Sequence, residues 1–499
     1  MNGYSSDFFL QVRLGPRGPE VTGQPAGQRG HRIPHDARAD GFPEGLFVEW
    51  KWDGRSLVVK NDRYGFFPVF YHSTGQQIAI SNSVLGLLAA GAPAALDDAA
   101  IAAFLRLGHF LGDDTPFRGV RMLGPSSLLR WEEGALDIQT KIPRIPCTPI
   151  SRRAALDSFG ELLAAAIARR SAPARPLVVP LSGGRDSRHI LLELCRQGIR
   201  PDECITARAL PGRKYKTEVE TAESVCRSVG VPLRVVGPVD TEADAETRKN
   251  RETGLLTLEH GWYLPVSDYL NERAGVIYDG MAGDVLSAGH FLTARRHELF
   301  VNGRFPELFA DLQTTSDKAL DSILADSVRR RFGLAGALQR FELECRRHRG
   351  AANPVSSLSI FNRTRRVASL CAVTLAGQVK FGFAPFLDND LFDFLSSLPL
   401  EILMDGTFHT ETILRSYPQH ASIPFAETRA VSPAASHLRH AKFAAAVARR
   451  LAGRRSAFVR TSYVLPRLAR CLCDPWYAKE ALWMGTFALY LGELERTQG

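Results

Sequence analysis

Ser182-Gly183-Gly184-Arg185-Asp186-Ser187 is the stretch of this chain whose residue types and spacing point most directly to chemistry. The apolar run Pro176-Leu177-Val178-Val179-Pro180-Leu181 precedes it, and the helix-like run Arg188 to Cys195 follows. A short strand therefore opens through a Gly-rich turn into a helix N-terminus. Backbone N–H groups and the positive end of the helix dipole then face one point, which makes an anion site. The glycines permit close backbone approach, and Ser182 and Ser187 supply hydroxyl donors. Asp186 does not suit a phosphate by itself, because both are anions. It fits if Mg²⁺ stands between them. The loop thus reads as a site for nucleotide phosphates and a metal. Its spacing is neither G-x-x-x-x-G-K-[ST] nor G-x-G-x-x-G.

Other candidate groups are scattered. Asp284 follows Gly283 and by itself reads as a turn residue. His260 and His290 are candidates for a general base, since histidine as a residue type titrates near neutrality, or for ordinary core and surface positions. Arg185 and Arg188 flank the loop, either for phosphate contacts or facing solvent. A basic region from Arg439 to Arg470 contains Arg449-Arg450 and Arg454-Arg455. It reads as a solvated helix face, with nucleic acid, a membrane surface or an acidic partner as the sharper alternatives.

The elements that must position these groups follow from hydrophobic period. Before the loop, a helix N-capped by Ser151 carries Leu156, Phe159, Leu162, Leu163 and Ile167 on one face. After it come a strand at 204–207, a helix opened by a Thr217-x-x-Glu220 capping box, and strands at 233–236 and 275–278. This alternation predicts a doubly wound parallel sheet with the loop at the carboxyl end of its first strand. From about Leu320 the pattern is mostly helical. Earlier, β-like runs at 46–50, 56–60, 68–71 and 77–80 precede helices near 83–88 and 97–107, predicting a small α+β domain. Residues 1–45, rich in Gly, Pro and Arg from residue 12 onward, read as a loop-rich or partly disordered entry segment. The domains expected are therefore 46–147 and 148–499, after that segment.

The chain has 499 residues, 45% hydrophobic and 23% charged, with a net charge of +9, which suits two or three globular domains. No apolar run approaches the ~18 residues of a membrane span. The first ten residues lack the pattern of a signal peptide. Eight cysteines occur without a C-x-x-C pair, which predicts a reducing cytoplasmic setting rather than a disulfide or zinc scaffold.

Five ordered segments resemble the asparagine synthetase-type family, which joins a glutaminase-type domain to an ATP-dependent synthetase domain. The loop Ser182–Ser187 is similar to that family's pyrophosphate loop. Asn61-Asp62-Arg63-Tyr64-Gly65-Phe66-Phe67-Pro68-Val69-Phe70-Tyr71 and Phe117–Pro125 are similar to stretches of its first domain, D-x-x-G-x-x-P-L-Y-Y and F-x-G-V-x-x-L-x-P. Asp279–Val285 stands where the family has G-E-G-x-D-E, and Pro385-Phe386-Leu387-Asp388 matches its P-F-L-D. The resemblance implies an Ntn-hydrolase-like α+β domain followed by an α/β ATP pyrophosphatase domain. It implies ATP and Mg²⁺ as cofactors, with Leu181, Ser182, Gly183, Gly184, Asp186, Ser187 and Gly280 contacting nucleotide. Asp186 and Asp284 would hold the metal and act in catalysis.

Three departures qualify that expectation. The family's glutaminase uses an N-terminal cysteine; here residue 2 is Asn2 and the first cysteine is Cys147, so thiolate attack on glutamine has no nucleophile. The first domain is then expected to be a scaffold, for a homodimer or for docking. The family's pocket glutamate falls on Met281. Its late lysine is absent after P-F-L-D, where Arg429 is the candidate for fixed positive charge. The expected reaction is adenylation of a small-molecule or peptide carboxylate and amide formation with ammonia or an amine, including ring closure to a lactam. The alternatives left open are a nucleotide-binding scaffold without catalysis and adenylation of an RNA base. Nucleic acid is the less favoured partner, and no membrane span is expected.

Overall fold

The computed structural model describes residues 7–34, 43–171, 174–208, 214–238, 240–430, 433–453 and 455–498. It is an α/β protein with two antiparallel sheets, a parallel sheet and a helical C-terminal part.

The antiparallel strands are β1 (Phe9–Gly15), β2 (Gly18–Gly23), β3 (Ala26–Ile33), β4 (Glu44–Trp52), β5 (Ser56–Asn61), β6 (Phe70–Thr74), β7 (Gln77–Ser81), β8 (Arg121–Met122), β9 (Leu128–Glu132) and β10 (Ala135–Gln139). They form two sheets, ordered β2-β1-β7-β6-β8 and β10-β9-β5-β4-β3. Period-2 alternation sends Leu10, Val12, Val48, Trp50, Leu57, Val59, Ile78, Ile80, Leu129 and Trp131 into one core between the sheets. Helices α1 (Val84–Ala89) and α2 (Asp98–Leu107) start at side-chain caps, Ser83 and Asp97.

Residues 9–33 correct the loop-rich reading of the entry segment: they are three strands. β2 is exposed along its whole length, and β3 shows only alternate residues to the interior. Their Gly and polar content reflects positions away from the core, while pairing to β1 and β4 holds them in place. Central β1 did carry its alternation, Phe8, Leu10 and Val12.

Helix α3 (Arg152–Ala168), capped by Ser151, leads into the parallel sheet. Its strands are β11 (Leu177–Pro180), β12 (Glu203–Ala207), β14 (Leu233–Val236), β15 (Val276–Tyr278) and β16 (Phe381–Phe383), in the order β14-β12-β11-β15-β16. Helices α4 (Asp186–Arg196), α5 (Glu218–Val229), α6 (Glu242–Glu252) and α7 (Leu264–Arg273) intervene. The chain leaves β11 toward β12, and returns after β14 to β15 on the other flank of β11. The switch point therefore lies at the carboxyl ends of β11 and β15, where ligands bind in such sheets.

Two strands inside or near the helical part were not legible. β16 is three residues whose place is fixed by pairing to β15. β17 (Thr428–Ala430) pairs with β13 (Lys214–Lys216), joining segments more than 200 positions apart. The Thr217 capping box is also corrected. Thr217 makes no cap; its hydroxyl accepts the Glu427 N–H at 2.9 Å, a tertiary partner that displaces the local one.

A buried ion cluster joins the two halves. Arg170 donates to Glu44 (2.5 Å) and Asp388 (2.9 Å), and Arg169 also reaches Asp388. Asp388 caps the helix Asn389–Ser397 through the N–H groups of Asp390 and Leu391. Arg365 and Arg366, both fully enclosed, donate to backbone carbonyls of Gly112, Asp114 and Leu123. The basic C-terminal region is tied down in part, with Arg439 on Glu242 and Arg450 on Asp244 of α6. No described helix is long and apolar enough to cross a membrane.

Candidate functional site

Leu181 ends the ladder of β11: its N–H donates to Ile205 O at 2.8 Å and its side chain is buried. The chain then turns through Ser182–Arg185 into α4. Ser182 N–H donates to Ser187 Oγ (3.0 Å), and Gly184 N–H donates to Ser182 Oγ (3.2 Å). The two hydroxyls lie 3.2 Å apart and brace the turn. Gly183 O accepts the Ala426 N–H at 3.0 Å. A Cβ on Gly183 would come within 2.4 Å of Ala426 Cβ, so that position admits only glycine without movement of the 426 segment. No side chain caps the first turn of α4. Its N–H end is left to a ligand or water.

The second loop follows β15. Asp279 is half-buried, accepts the Met281 N–H at 2.8 Å, and is pushed by burial up to about 6. Gly280 and Gly283 let the two loops touch: a Cβ on either would meet Asp186 within 2.7 Å. Asp284 begins the short helix α8 (Gly283–Ser287) with its carboxylate exposed. Its N–H donates to Asp186 Oδ2 at 3.0 Å. The fold thus brings together Ser182, Gly183, Gly184, Asp186, Ser187, Gly280 and Asp284 across 98 positions of sequence. Burial first, and the neighbouring Asp284 charge second, hold the Asp186 carboxyl well above the ordinary carboxylate range.

Asp186 keeps 22% of its side-chain surface, and its two oxygens differ. Oδ2 meets Asp284. Oδ1 is sealed from solvent, has no hydrogen-bond partner, and lies 3.4 Å from His409 Nδ1. His409 and its neighbour His189 carried no signal in the sequence, since 220 positions separate them. Asp279 lay inside a motif already singled out but was given no role.

The remaining candidates take other places. Met281 is buried in the main core, so the position carries neither proton nor charge. Arg188 does not face the loop opening: it donates to Ile423 O and Pro424 O, at 2.9 and 2.7 Å, and lies over the Phe425 ring. Arg185 donates to Thr410 Oγ1 at 2.5 Å. Arg188 thus holds the 423–425 segment, neither toward the loop opening nor in solvent, and Arg185 is tied through Nε to the helix that carries Thr410. Arg429 sits in β17 opposite Tyr215; its side chain lies outside the described residues. His260 Nε2 stands 3.1 Å from Val367 O, and burial pushes the ring down to about 4, so it is neutral. It lines a cleft of about 340 Å³ at the carboxyl ends of β12 and β14, with Ala207, Val236, Leu258 and Trp262. The His290 ring is exposed beside Phe291.

With this geometry in place, the comparisons bear on the first half alone. A family model for a glutamine amidotransferase domain matches residues 43–141. The match spans β4 to β10 with α1 and α2 and contains no cysteine. No curated protein matches the chain.

Proposed function

We propose that the chain is an ATP-dependent, AMP-forming amide ligase of the asparagine synthetase-like kind, without glutaminase activity. The observation that carries this reading is the meeting of two loops at the switch point. An uncapped α4 N-terminus and the carboxylates Asp186 and Asp284 share one opening. Helix N-termini favour phosphates, and two adjacent carboxylates favour a cation.

The donor set fits Mg²⁺. Among the described residues no group of three or more His, Cys, Asp or Glu side chains is placed to hold a metal. An ion held by Asp186 and Asp284 would take its other ligands from phosphate and water, as Mg²⁺ does. When bound it would offset the repulsion between an attacking carboxylate and a polyphosphate. The Ser182–Ser187 turn and the α4 N-terminus would hold the pyrophosphate portion and orient the α-phosphorus. A substrate carboxylate oxygen bonds to that phosphorus as the bond to the β-phosphate oxygen breaks, giving an acyl adenylate and pyrophosphate. An amine nitrogen then bonds to the acyl carbon, AMP leaves, and the nitrogen loses a proton. The nitrogen comes from free ammonia or from an amine, because no cysteine precedes Cys147 to supply a thiol for glutamine hydrolysis. Specialised metabolites and peptides, including a peptide that closes on its own amine, fit this class of substrate.

Calorimetry of Mg²⁺·ATP binding to wild type and Asp186→Ala tests the reading. Binding by wild type that weakens about 100-fold in the variant supports it. Pyrophosphate release on screening acids and amines then identifies the substrates. The buried Met281 favours a second reading, a nucleotide-binding scaffold without chemistry. Tight nucleotide binding with no pyrophosphate release under any acid would establish that one, and absence of binding by folded wild type would sink both.

A further inference from the structure

Behind Asp186 lies a chain of buried polar groups that no step above uses. His409, on the helix Phe408–Ser416, places Nδ1 2.8 Å from Ser287 Oγ and 3.4 Å from Asp186 Oδ1. Its Nε2 lies 3.0 Å from His189 Nδ1 on α4. Both rings are fully enclosed, with Phe159 packed against each.

Hydrogen-bond bookkeeping fixes the direction of this chain. Ser287 Oγ has its shortest contact, 2.6 Å, with Gly283 O, and a hydroxyl proton placed there leaves Oγ to accept from His409. His409 therefore carries its proton on Nδ1. Its Nε2 is then bare and accepts from His189 Nδ1–H. His189 Nε2 is left bare and has no partner, as a neutral ring in that tautomer requires. The outcome is one N–H, held by three residues, standing beside the sealed and unpartnered oxygen of Asp186.

We propose that His409 is a positioning residue for Asp186. Its Nδ1–H, shared between Ser287 and Asp186 Oδ1, turns the carboxylate so that Oδ2 faces Asp284 and the loop opening, and His189 locks the tautomer that makes this possible. The inference deepens the nucleotide reading and rests on it for the metal alone. An oriented second partner on a ligating carboxylate raises affinity without touching the ion.

His409→Leu and His409→Asn are compared with wild type by calorimetry, with Mg²⁺·ATP and with ATP in EDTA. Asparagine keeps an N–H near the Nδ1 position; leucine keeps only bulk. The leucine variant is expected to weaken Mg²⁺·ATP binding about tenfold or more and to leave metal-free ATP binding unchanged. The asparagine variant is expected to stay within about threefold of wild type. Equal affinities for the leucine variant and wild type overturn the inference, as does a folded asparagine variant as weak as leucine. Histidine ¹⁵N shifts of the nucleotide-free wild type need no variant. A proton on His409 Nδ1 and one on His189 Nδ1 are expected, and a proton on His409 Nε2 overturns the inference whatever the nucleotide result. Wild type that binds no nucleotide while showing the expected tautomers overturns the proposed function but leaves the oriented pair standing.

Discussion

Two aspartates, one in each half of the molecule, follow a strand, yet they are built in opposite ways. Asp62, after β5, is completely enclosed, and both its oxygens are satisfied. Oδ1 accepts from Tyr64 and Phe66 N–H at 3.1 Å each, and Oδ2 accepts from Phe67 N–H at 2.9 Å. Asp186, after β11, has one oxygen on a single backbone N–H and the other with no hydrogen bond, beside a second carboxylate. The first is a closed structural joint that shapes the Asn61–Tyr71 turn. The second is sparsely bonded beside a like group, an arrangement that costs stability and that functional sites often share. The half that carries the amidotransferase-type match thus holds its aspartate closed, whereas the parallel-sheet half leaves one less fully bonded.

Removing each carboxylate breaks or sharpens this contrast. Asp62→Ala strands three buried N–H groups and should destabilise the protein by about 3–5 kcal/mol in denaturant unfolding at pH 7, with Mg²⁺·ATP affinity in the surviving folded fraction unchanged. Asp186→Asn should do the reverse. Its Mg²⁺·ATP affinity should fall about 100-fold, while its melting temperature holds or rises, because the repulsion with Asp284 is gone. A stability loss as large as that of Asp62→Ala would make Asp186 a structural residue too.

The contrast also has a pH signature. Burial raises Asp62 from 3.8 to about 6, against the opposing backbone N–H bonds. A folded-state value above the unfolded one favours the protonated form on folding. The associated stability is fully present below about pH 3.8 and is lost as pH rises through about 6. Relative to Asp62→Asn, wild type should lose about 3 kcal/mol between pH 4 and pH 7, read from denaturant midpoints across that window. A constant difference would show that the N–H bonds cancel the burial.

The smallest effect belongs to the loop itself. Gly183→Ala pushes a methyl into Ala426 and should cost about 1–3 kcal/mol, with nucleotide affinity falling as the turn shifts. The paired change with Ala426→Gly should restore both, and failure of that rescue would mean that Glu218, 3.0 Å away, is the real obstacle.

Much of the fold was legible because its signals are local. Alternation marked β4, β5 and β7, apolar runs marked the first four strands of the parallel sheet, helical stretches near 83–88 and 97–107 matched α1 and α2, and Ser151 marked a helix start that the structure caps as expected. The loop's own types placed Ser182–Ser187 at a strand-to-helix turn, and the motif around Gly280 and Asp284 supplied the second loop. What was not legible depends on partners distant in sequence. β2 and β3 look like loop by composition because they lie at the margins of their sheets. β16 and the β13–β17 ribbon exist only through long-range pairing, and Thr217 chose Glu427 over its local cap.

The sequence by itself therefore determined the class of the fold, the Gly-rich strand-to-helix turn at Ser182–Ser187, and the absence of cysteine before Cys147. These follow from residue type, period and spacing, which act over a few turns of chain. Only the tertiary structure decided that Arg185 and Arg188 serve neighbouring segments, that Met281 is core, and that His409 and His189 stand behind Asp186. Those outcomes rest on which groups burial brings within about 3–4 Å, the range over which a buried polar atom must find a partner.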